Sequence, residues 1–356
     1  MSHPLIELAN DREVRQAAGF RAKAATLTGE SLVAAYSAEE NSAPRLHESG
    51  RRYFVQRSGK PASERKRNKD DEHLGAALVR YCRDAGGLRL PGEEGGEFVP
   101  LDYQVRVKTG PIDDPTTKGI GRVDLVGLGP EDRLTVAQMR FVEPTATRCG
   151  VGDTPLRALL EGLGYCAIVS ANAAEFRSEM AERFGRTPSE ERPLLLLMGS
   201  PRYWELCRKR EAQKGAAWIK EMERLSGEIE HDVGVAVRYV GLQLDHDPGW
   251  SYGEDGPVLE GEARLAPPWE STAGKVKPRA KPRPKPTAPA DVVVEADLSR
   301  PVRSYALTES YEAGERIDHP KLGTGIVQGS AGPGKIRVRF DEKQSLLVCE
   351  RAAPAA

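Results

Sequence analysis

The sequence has few cysteines, and it contains no long apolar run. Its five cysteines are scattered over 356 residues, and none of them stands in a Cys-x-x-Cys pair. The spacing therefore indicates neither a disulfide framework nor a structural zinc site. No stretch reaches the roughly eighteen apolar residues that a membrane helix needs, and Met1 to Phe20 carry no basic-then-apolar signal pattern. These absences predict a protein of the reducing cytoplasm without a membrane partner.

A net charge of −1 conceals two strongly basic segments in an otherwise acidic chain. Residues 51–69 hold eight Lys or Arg against one acid, and residues 275–285 hold six with no acid. Concentrated positive charge suits a polyanion, so the sequence predicts nucleic-acid binding, with DNA as the expected partner. A solvated loop for the first segment and a charged spacer for the second are the alternatives. The candidate nucleic-acid-binding residues are Arg51, Arg52, Arg65, Lys66, Arg67, Lys69, Lys277, Arg279, Lys281 and Arg283.

Two neighbouring predicted strands carry an acid and a polar pair. Asp124 stands on the first strand, a turn follows at residues 130–133, and Gln138 and Arg140 stand two apart on the second strand. Residues two apart on a strand share a face. The pattern therefore predicts that Gln138 and Arg140 point together into the cleft that Asp124 faces.

This hairpin resembles the PD-(D/E)xK superfamily, the restriction-endonuclease-like fold, whose motif is an Asp followed after a short turn by Glu-x-Lys or Gln-x-Lys. The resemblance implies that Asp124 and Gln138 hold Mg²⁺ or Mn²⁺, that the metal activates a water, and that Arg140 stabilises charge on the phosphate. Arginine in place of lysine is a departure, because a guanidinium stays protonated, although it still clamps phosphate bidentately. Glu72 lies where some members place an extra catalytic acid. A first-turn acid favoured by the helix dipole is the alternative there.

The order of predicted elements around the hairpin is also similar to that superfamily's core, and it predicts a mixed central sheet flanked by helices in an α/β fold. The elements before the hairpin are a helix at 70–85 and a strand at 102–109. Those after it are two helices, or one helix broken near Gly164, between 154 and 185, then a buried strand at 192–199, a helix from 200 to about 225 and a strand at 233–244.

The C-terminal region, residues 305–351, consists of short apolar segments separated by glycine-rich turns, which predicts a small all-β barrel. The run from Gly314 to Val327, which includes His-Pro-Lys-Leu-Gly-Thr-Gly, is similar to the Tudor or SH3-like modules at the ends of some bacterial DNA helicases and in CarD-related transcription factors. That similarity implies a contact with RNA polymerase, another protein or nucleic acid.

The sequence thus predicts four parts: a helical segment at 1–50, a nuclease-like domain at 51–270, a basic Pro-rich linker at 271–303 and an SH3-like barrel at 304–356. Two functions stay open. One is a metal-dependent DNA endonuclease. The other is a catalytically inactive nuclease-fold scaffold that binds DNA or RNA polymerase through its basic segments and its barrel. A single carboxylate makes a weak magnesium site, which gives weight to the second function.

Overall fold

The computed structural model describes residues 3–55, 64, 66, 69–92, 96–108, 119–210, 217–246, 249–269, 293–341 and 343–350. The chain divides into two compact units, Met1–Val276 and Lys277–Ala356. Within the described ranges, no helix is long and apolar enough to cross a membrane. Six predicted nucleic-acid-binding residues lie outside the described residues: Arg65, Arg67, Lys277, Arg279, Lys281 and Arg283.

The first unit combines helices with a large sheet. Its helices are α1 Pro4–Ala9, α2 Arg12–Arg15, α3 Phe20–Thr26, α4 Gly29–Asn41, α5 Asp70–Ala85, α6 Pro155–Ala171, α7 Ala173–Phe184, α8 Pro201–Arg210 and α9 Ala217–Glu228. Its strands are β1 Leu88–Arg89, β2 Glu97–Arg106, β3 Arg122–Leu128, β4 Leu134–Arg140, β5 Leu194–Gly199, β6 Val237–Leu244, β7 Trp250–Gly253, β8 Gly256–Leu259 and β9 Ala263–Ala266.

The main sheet has the strand order β1-β2-β3-β4-β5-β6-β9. Strands β4, β5 and β6 run parallel to one another, and the remaining pairs in this sheet are antiparallel. A separate β7–β8 hairpin packs on α5. The predicted mixed sheet with flanking helices is therefore confirmed.

Helices cover both faces of the sheet, and each face has its own apolar core. Val126, Val136 and Leu160 belong to the core on the α6 face. Leu74 and Met139 belong to the core on the α5 face. The central strand β5 is buried along its whole length, as its unbroken apolar run predicts, because a strand covered on both faces needs apolar residues at every position.

Of the two alternatives predicted for residues 154–185, two helices are confirmed and one helix broken near Gly164 is wrong. Helix α6 continues through Gly164 to Ala171, and the chain breaks at Asn172, whose side-chain amide donates to the carbonyl of Ile168 at 2.7 Å. A Cβ atom on Gly164 would lie 2.9 Å from a methyl of Ile6 in α1. The glycine is therefore a site of close helix packing and not a helix end.

The second unit is a small all-β body, as predicted. Its strands are β10 Arg303–Ser304, β11 Arg316–His319, β12 Gly323–Gly332, β13 Lys335–Phe340 and β14 Lys343–Val348, hydrogen-bonded in that order. Strands β10 and β11 are parallel, and the other pairs are antiparallel. Ile317, Val327 and Val338 form the centre of its apolar core.

A buried carboxylate of helix α7 holds the start of the first basic segment in place. Glu179 of α7 is only 2% exposed, and it accepts the backbone N–H groups of Tyr53 at 3.1 Å and Phe54 at 2.9 Å. It also contacts the imidazole of His47. Tyr53 and Phe54 are themselves buried. The backbone at residues 51–55 is thereby held against α7, which fixes the start of the basic segment.

We expect Glu179→Ala to lower the free energy of unfolding by about 2–4 kcal/mol, because two buried backbone N–H groups lose their acceptor. Chemical denaturation measures the change. The matched control is Glu182→Ala, which removes an exposed partner of Arg52 one turn away and should cost no more than ~0.5 kcal/mol. Equal effects of the two substitutions would contradict the role assigned to Glu179.

Candidate functional site

Asp124 lies in β3, on the face of the sheet that α6 covers. Its Oδ2 accepts the backbone N–H of Met139 at 2.9 Å, and its Oδ1 accepts the side-chain amide of Gln104 at 3.0 Å. The side chain is 14% exposed. Both oxygens of the carboxylate are therefore engaged by donors of the neighbouring strands.

Arg140, at the end of β4, lies beside Asp124 and among further carboxylates. Its Nη2 donates to Oε2 of Glu161 in α6 at 2.8 Å, and its Nη1 is 3.5 Å from Oδ2 of Asp124. Its Nε is 3.9 Å from Oδ1 of Asp153. Asp71 of α5 reaches the same place, since its Oδ1 accepts the backbone N–H of Phe141 at 2.7 Å. We call Arg140 with these four acids the Arg140 cluster.

The electrostatics of the Arg140 cluster shift its protonation equilibria. Burial raises the pKa of Asp124 to about 6, although Arg140 and the N–H of Met139 favour its ionised form. Burial, together with the negative charge of Asp124, raises the pKa of Asp71 to about 7. Burial alone would lower the pKa of Arg140, but Glu161 and Asp124 outweigh it and hold that pKa above its ordinary value. The guanidinium is therefore permanently charged.

The predicted site residues are only partly brought together. Asp124 and Arg140 are in contact, as described above. Gln138 is buried against α6, where a Cβ on Gly162 would lie 3.1 Å from its Cγ, and its Nε2 has no hydrogen-bond partner within the described chain. Glu72 pairs with Lys69 at 2.7 Å. The acid of α5 that acts on Asp124 and Arg140 is therefore Asp71, the residue before Glu72.

Sequence reasoning missed four residues of this site, Asp71, Gln104, Asp153 and Glu161. Glu161 is the sole acid in α6, an otherwise apolar helix with one arginine, and that isolation was a readable signal. Asp71 stood beside the predicted Glu72 without a pattern to favour it. Gln104 has a φ of 48° inside strand β2, a left-handed conformation that costs a non-glycine residue on the order of 1 kcal/mol. No sequence signal indicates such a conformation for a glutamine.

The arrangement of donors does not favour a metal ion at Asp124. Across the described ranges, no group of three or more His, Cys, Asp or Glu side chains is placed to hold one. Mg²⁺ requires oxygen ligands that converge in near-octahedral geometry. At Asp124, both oxygens already accept hydrogen bonds, and a guanidinium is the neighbouring cation. The Mg²⁺ or Mn²⁺ predicted at Asp124 and Gln138 stays a prediction without support from this geometry.

A cleft of about 610 Å³ lies between residues 50–55 and the ends of β2 and β3. Four arginines line it, together with Gln104 and the single acid Asp102, and we call it the basic cleft; the arginines are Arg51, Arg52, Arg106 and Arg122. Arg106 and Arg122 stand directly opposite each other across β2 and β3. Like charges in that position destabilise a sheet unless an anion neutralises them. Gln104 joins the cleft to the Arg140 cluster through its bond to Asp124.

Comparisons of the chain with protein-family models, with curated proteins and with solved structures gave no match. The resemblance to the PD-(D/E)xK superfamily therefore depends on three residues and on the order of the elements.

The raised pKa of Asp71 makes stability fall with rising pH. Between the ordinary pKa of 3.8 and about 7, the folded protein binds a proton that the unfolded chain has released. Asp71→Asn keeps an acceptor for the N–H of Phe141 but removes this titration. We therefore expect Asp71→Asn to be more stable than the wild type at pH 8 by on the order of 1 kcal/mol, and to lose that advantage at pH 4.

Thermal and urea unfolding across pH 4 to 8 measures this difference. Glu72→Gln is the matched control, because Lys69 and Arg122 outweigh burial and lower the pKa of Glu72. That substitution should make the protein less stable at neutral pH, with the opposite sign. A pH profile of Asp71→Asn that parallels the wild type would contradict the assignment.

Proposed function

We propose that this protein binds nucleic acid, with DNA as the expected ligand, through a restriction-endonuclease-like core that does not hydrolyse phosphodiesters. The observation that carries the proposal is the guanidinium of Arg140 held between Asp124 and Glu161. In the metal-dependent reaction that the motif resembles, a divalent cation lies beside the equivalent of Asp124. Here the guanidinium of Arg140 lies 3.5 Å from Asp124 and supplies a positive charge beside that carboxylate.

A guanidinium replaces the charge of a metal ion but not its chemistry. A bound divalent cation lowers the pKa of a coordinated water and so generates hydroxide at neutral pH. Arg140 has no coordination site for water, and it does not accept a proton in the physiological range. The arrangement therefore supplies no means of activating a water nucleophile, and the positive charge available to a phosphate lies in the basic cleft.

The basic cleft supports binding of a phosphate backbone. Arg106 and Arg122 are both exposed and stand directly opposite each other, which is an unfavourable placement for like charges, although the carboxylate of Glu72 also acts on Arg122. Arginine matches phosphate geometry with two parallel hydrogen bonds. A backbone phosphate between these two side chains would neutralise their repulsion and release counterions, the main source of affinity for nucleic acids. Arg51 extends the positive surface along the cleft, whereas Arg52 pairs with Glu182.

We propose that the second unit provides a second binding surface. Its five-stranded sheet is compatible with the SH3-like barrel inferred from the sequence, and its partner in that reading is nucleic acid, RNA polymerase or another protein. The basic segment at 275–285 precedes it in the chain and adds positive charge that suits the same ligand.

Fluorescence anisotropy with labelled duplex and single-stranded DNA over a series of salt concentrations tests the proposal. The wild type should bind without divalent metal, and its affinity should fall steeply with salt. Arg106→Ala and Arg122→Ala should each weaken binding and reduce the slope of log affinity against log salt by about 1, because each removes one phosphate contact. Arg186→Ala is the matched control, an exposed arginine that pairs with Asp132 outside the cleft lining.

A cleavage assay on supercoiled plasmid with Mg²⁺ or Mn²⁺ separates this proposal from the endonuclease. We expect no nicking above the level of an Asp124→Ala variant. Metal-dependent nicking by the wild type that Asp124→Ala abolishes would establish the enzyme instead. A wild type that binds neither form of DNA at low salt would overturn the binding function itself.

A further inference from the structure

Two of the five cysteines lie against each other in the interior of the first unit. The Sγ atoms of Cys149 and Cys207 are 3.9 Å apart, and both residues are buried. Cys207 belongs to α8, whereas Cys149 belongs to the connection between β4 and α6, residues 141–154. The two thiols are thus neighbours in space although 58 positions separate them in the chain.

The chain around Cys149 is able to bring the sulfurs closer. A disulfide has an S–S distance of about 2.05 Å, so the two atoms must approach by roughly 2 Å. The connection 141–154 contains neither helix nor strand, and its backbone can adjust without breaking a regular hydrogen-bond ladder. Connections of that length without secondary structure are uncommon in compact domains.

We propose that Cys149 and Cys207 form an oxidation-sensitive disulfide site whose oxidant is a peroxide. The sulfur of one thiolate attacks one peroxide oxygen, an S–O bond forms as the O–O bond breaks, and the sulfur becomes a sulfenic acid. The hydroxide that leaves takes up a proton and becomes one water. The second thiol then attacks the sulfenic sulfur, the S–O bond breaks, and a second water leaves. In total, two thiols and one hydrogen peroxide give one disulfide and two waters. The sulfurs are oxidised and the peroxide oxygens are reduced.

A disulfide between Cys149 and Cys207 would affect residues around the Arg140 cluster. The connection that contains Cys149 also contains Asp153, and α8 also contains Tyr203, whose backbone carbonyl lies 3.8 Å from Sγ of Cys149. The ring of Tyr203 is buried, and its hydroxyl has no hydrogen-bond partner in the part of the chain that the structure describes. The disulfide would tie these two segments together. The inference does not depend on the proposed function, because it rests on the thiols alone.

Burial sets the rate of this reaction. Both thiols are shielded from solvent, so the first attack requires the connection to open, and oxidation should be slower than for an exposed thiol. Cys82 and Cys166 are equally buried on α5 and α6, and they serve as internal references within the same molecule.

Peptide mapping of the full-length wild type after treatment with hydrogen peroxide tests the proposal. Free thiols are alkylated under denaturing, non-reducing conditions before digestion. We expect a linked peptide containing Cys149 and Cys207 that is lighter by two hydrogens, and a fall in free thiols from five to three. Dithiothreitol should restore all five.

Three variants sharpen the test. Cys149→Ser and Cys207→Ser should each abolish the linked peptide, whereas Cys82→Ser should leave its yield unchanged. The proposal is overturned by five alkylatable thiols after peroxide treatment, by a linkage between other cysteines, or by loss of thiol at Cys149 and Cys207 without a link. If either serine variant fails to fold, the map of the wild type decides the question by itself.

Discussion

The contact on which the functional account depends is the ion-paired guanidinium of Arg140. A buried guanidinium is stable only where carboxylates and carbonyls satisfy it, since desolvation of an unpaired charge costs several kcal/mol. Asp124 of β3 and Glu161 of α6 supply that compensation, and the carbonyl of Met139 accepts a further bond at 2.7 Å. The same contact therefore joins the sheet to the helix and places a cation beside Asp124.

Gln104 connects the buried Arg140 cluster to the surface of the protein. Its backbone adopts a left-handed conformation inside a strand, and its amide reaches Asp124 from the wall of the basic cleft. Conformations of this kind persist where the surrounding structure requires them. An anion bound by Arg106 and Arg122 would lie in the basic cleft, which Gln104 also lines. The lining of the basic cleft and the arrangement of charges around Arg140 thus share one residue, Gln104.

Periodic patterns in the sequence predicted most of the fold. Helix α5 begins and ends at the predicted residues because its apolar positions repeat at helical spacing. Strand β5 was predicted from its apolar run at 192–199, and it begins two residues after the predicted start. The alternation of a strand also placed Gln138 and Arg140 on one face. These features are local, so a single sequence contains them.

Contacts between elements that are distant in the sequence could not be predicted in this way. Asp71 and Glu72 are adjacent first-turn acids, and only the packing of α5 on the sheet selects Asp71, because successive residues of a helix point about 100° apart. Glu161 meets Arg140 across the layer between helix and sheet. The opposition of Arg106 and Arg122 depends on the register of β2 with β3, which an irregularity near Leu101 shifts. Each of these requires the tertiary structure.

The most direct test of the central claim is a titration with Mn²⁺ followed by electron paramagnetic resonance, on the wild type, Arg140→Ala and the double variant Asp124→Asn/Arg140→Ala. If the guanidinium stands in the place of a cation, the wild type should not bind Mn²⁺ at millimolar concentration. Arg140→Ala should gain a Mn²⁺ site among the carboxylates left behind, and the double variant should lose it. Tight binding of Mn²⁺ by the wild type, unchanged in Arg140→Ala, would contradict the account.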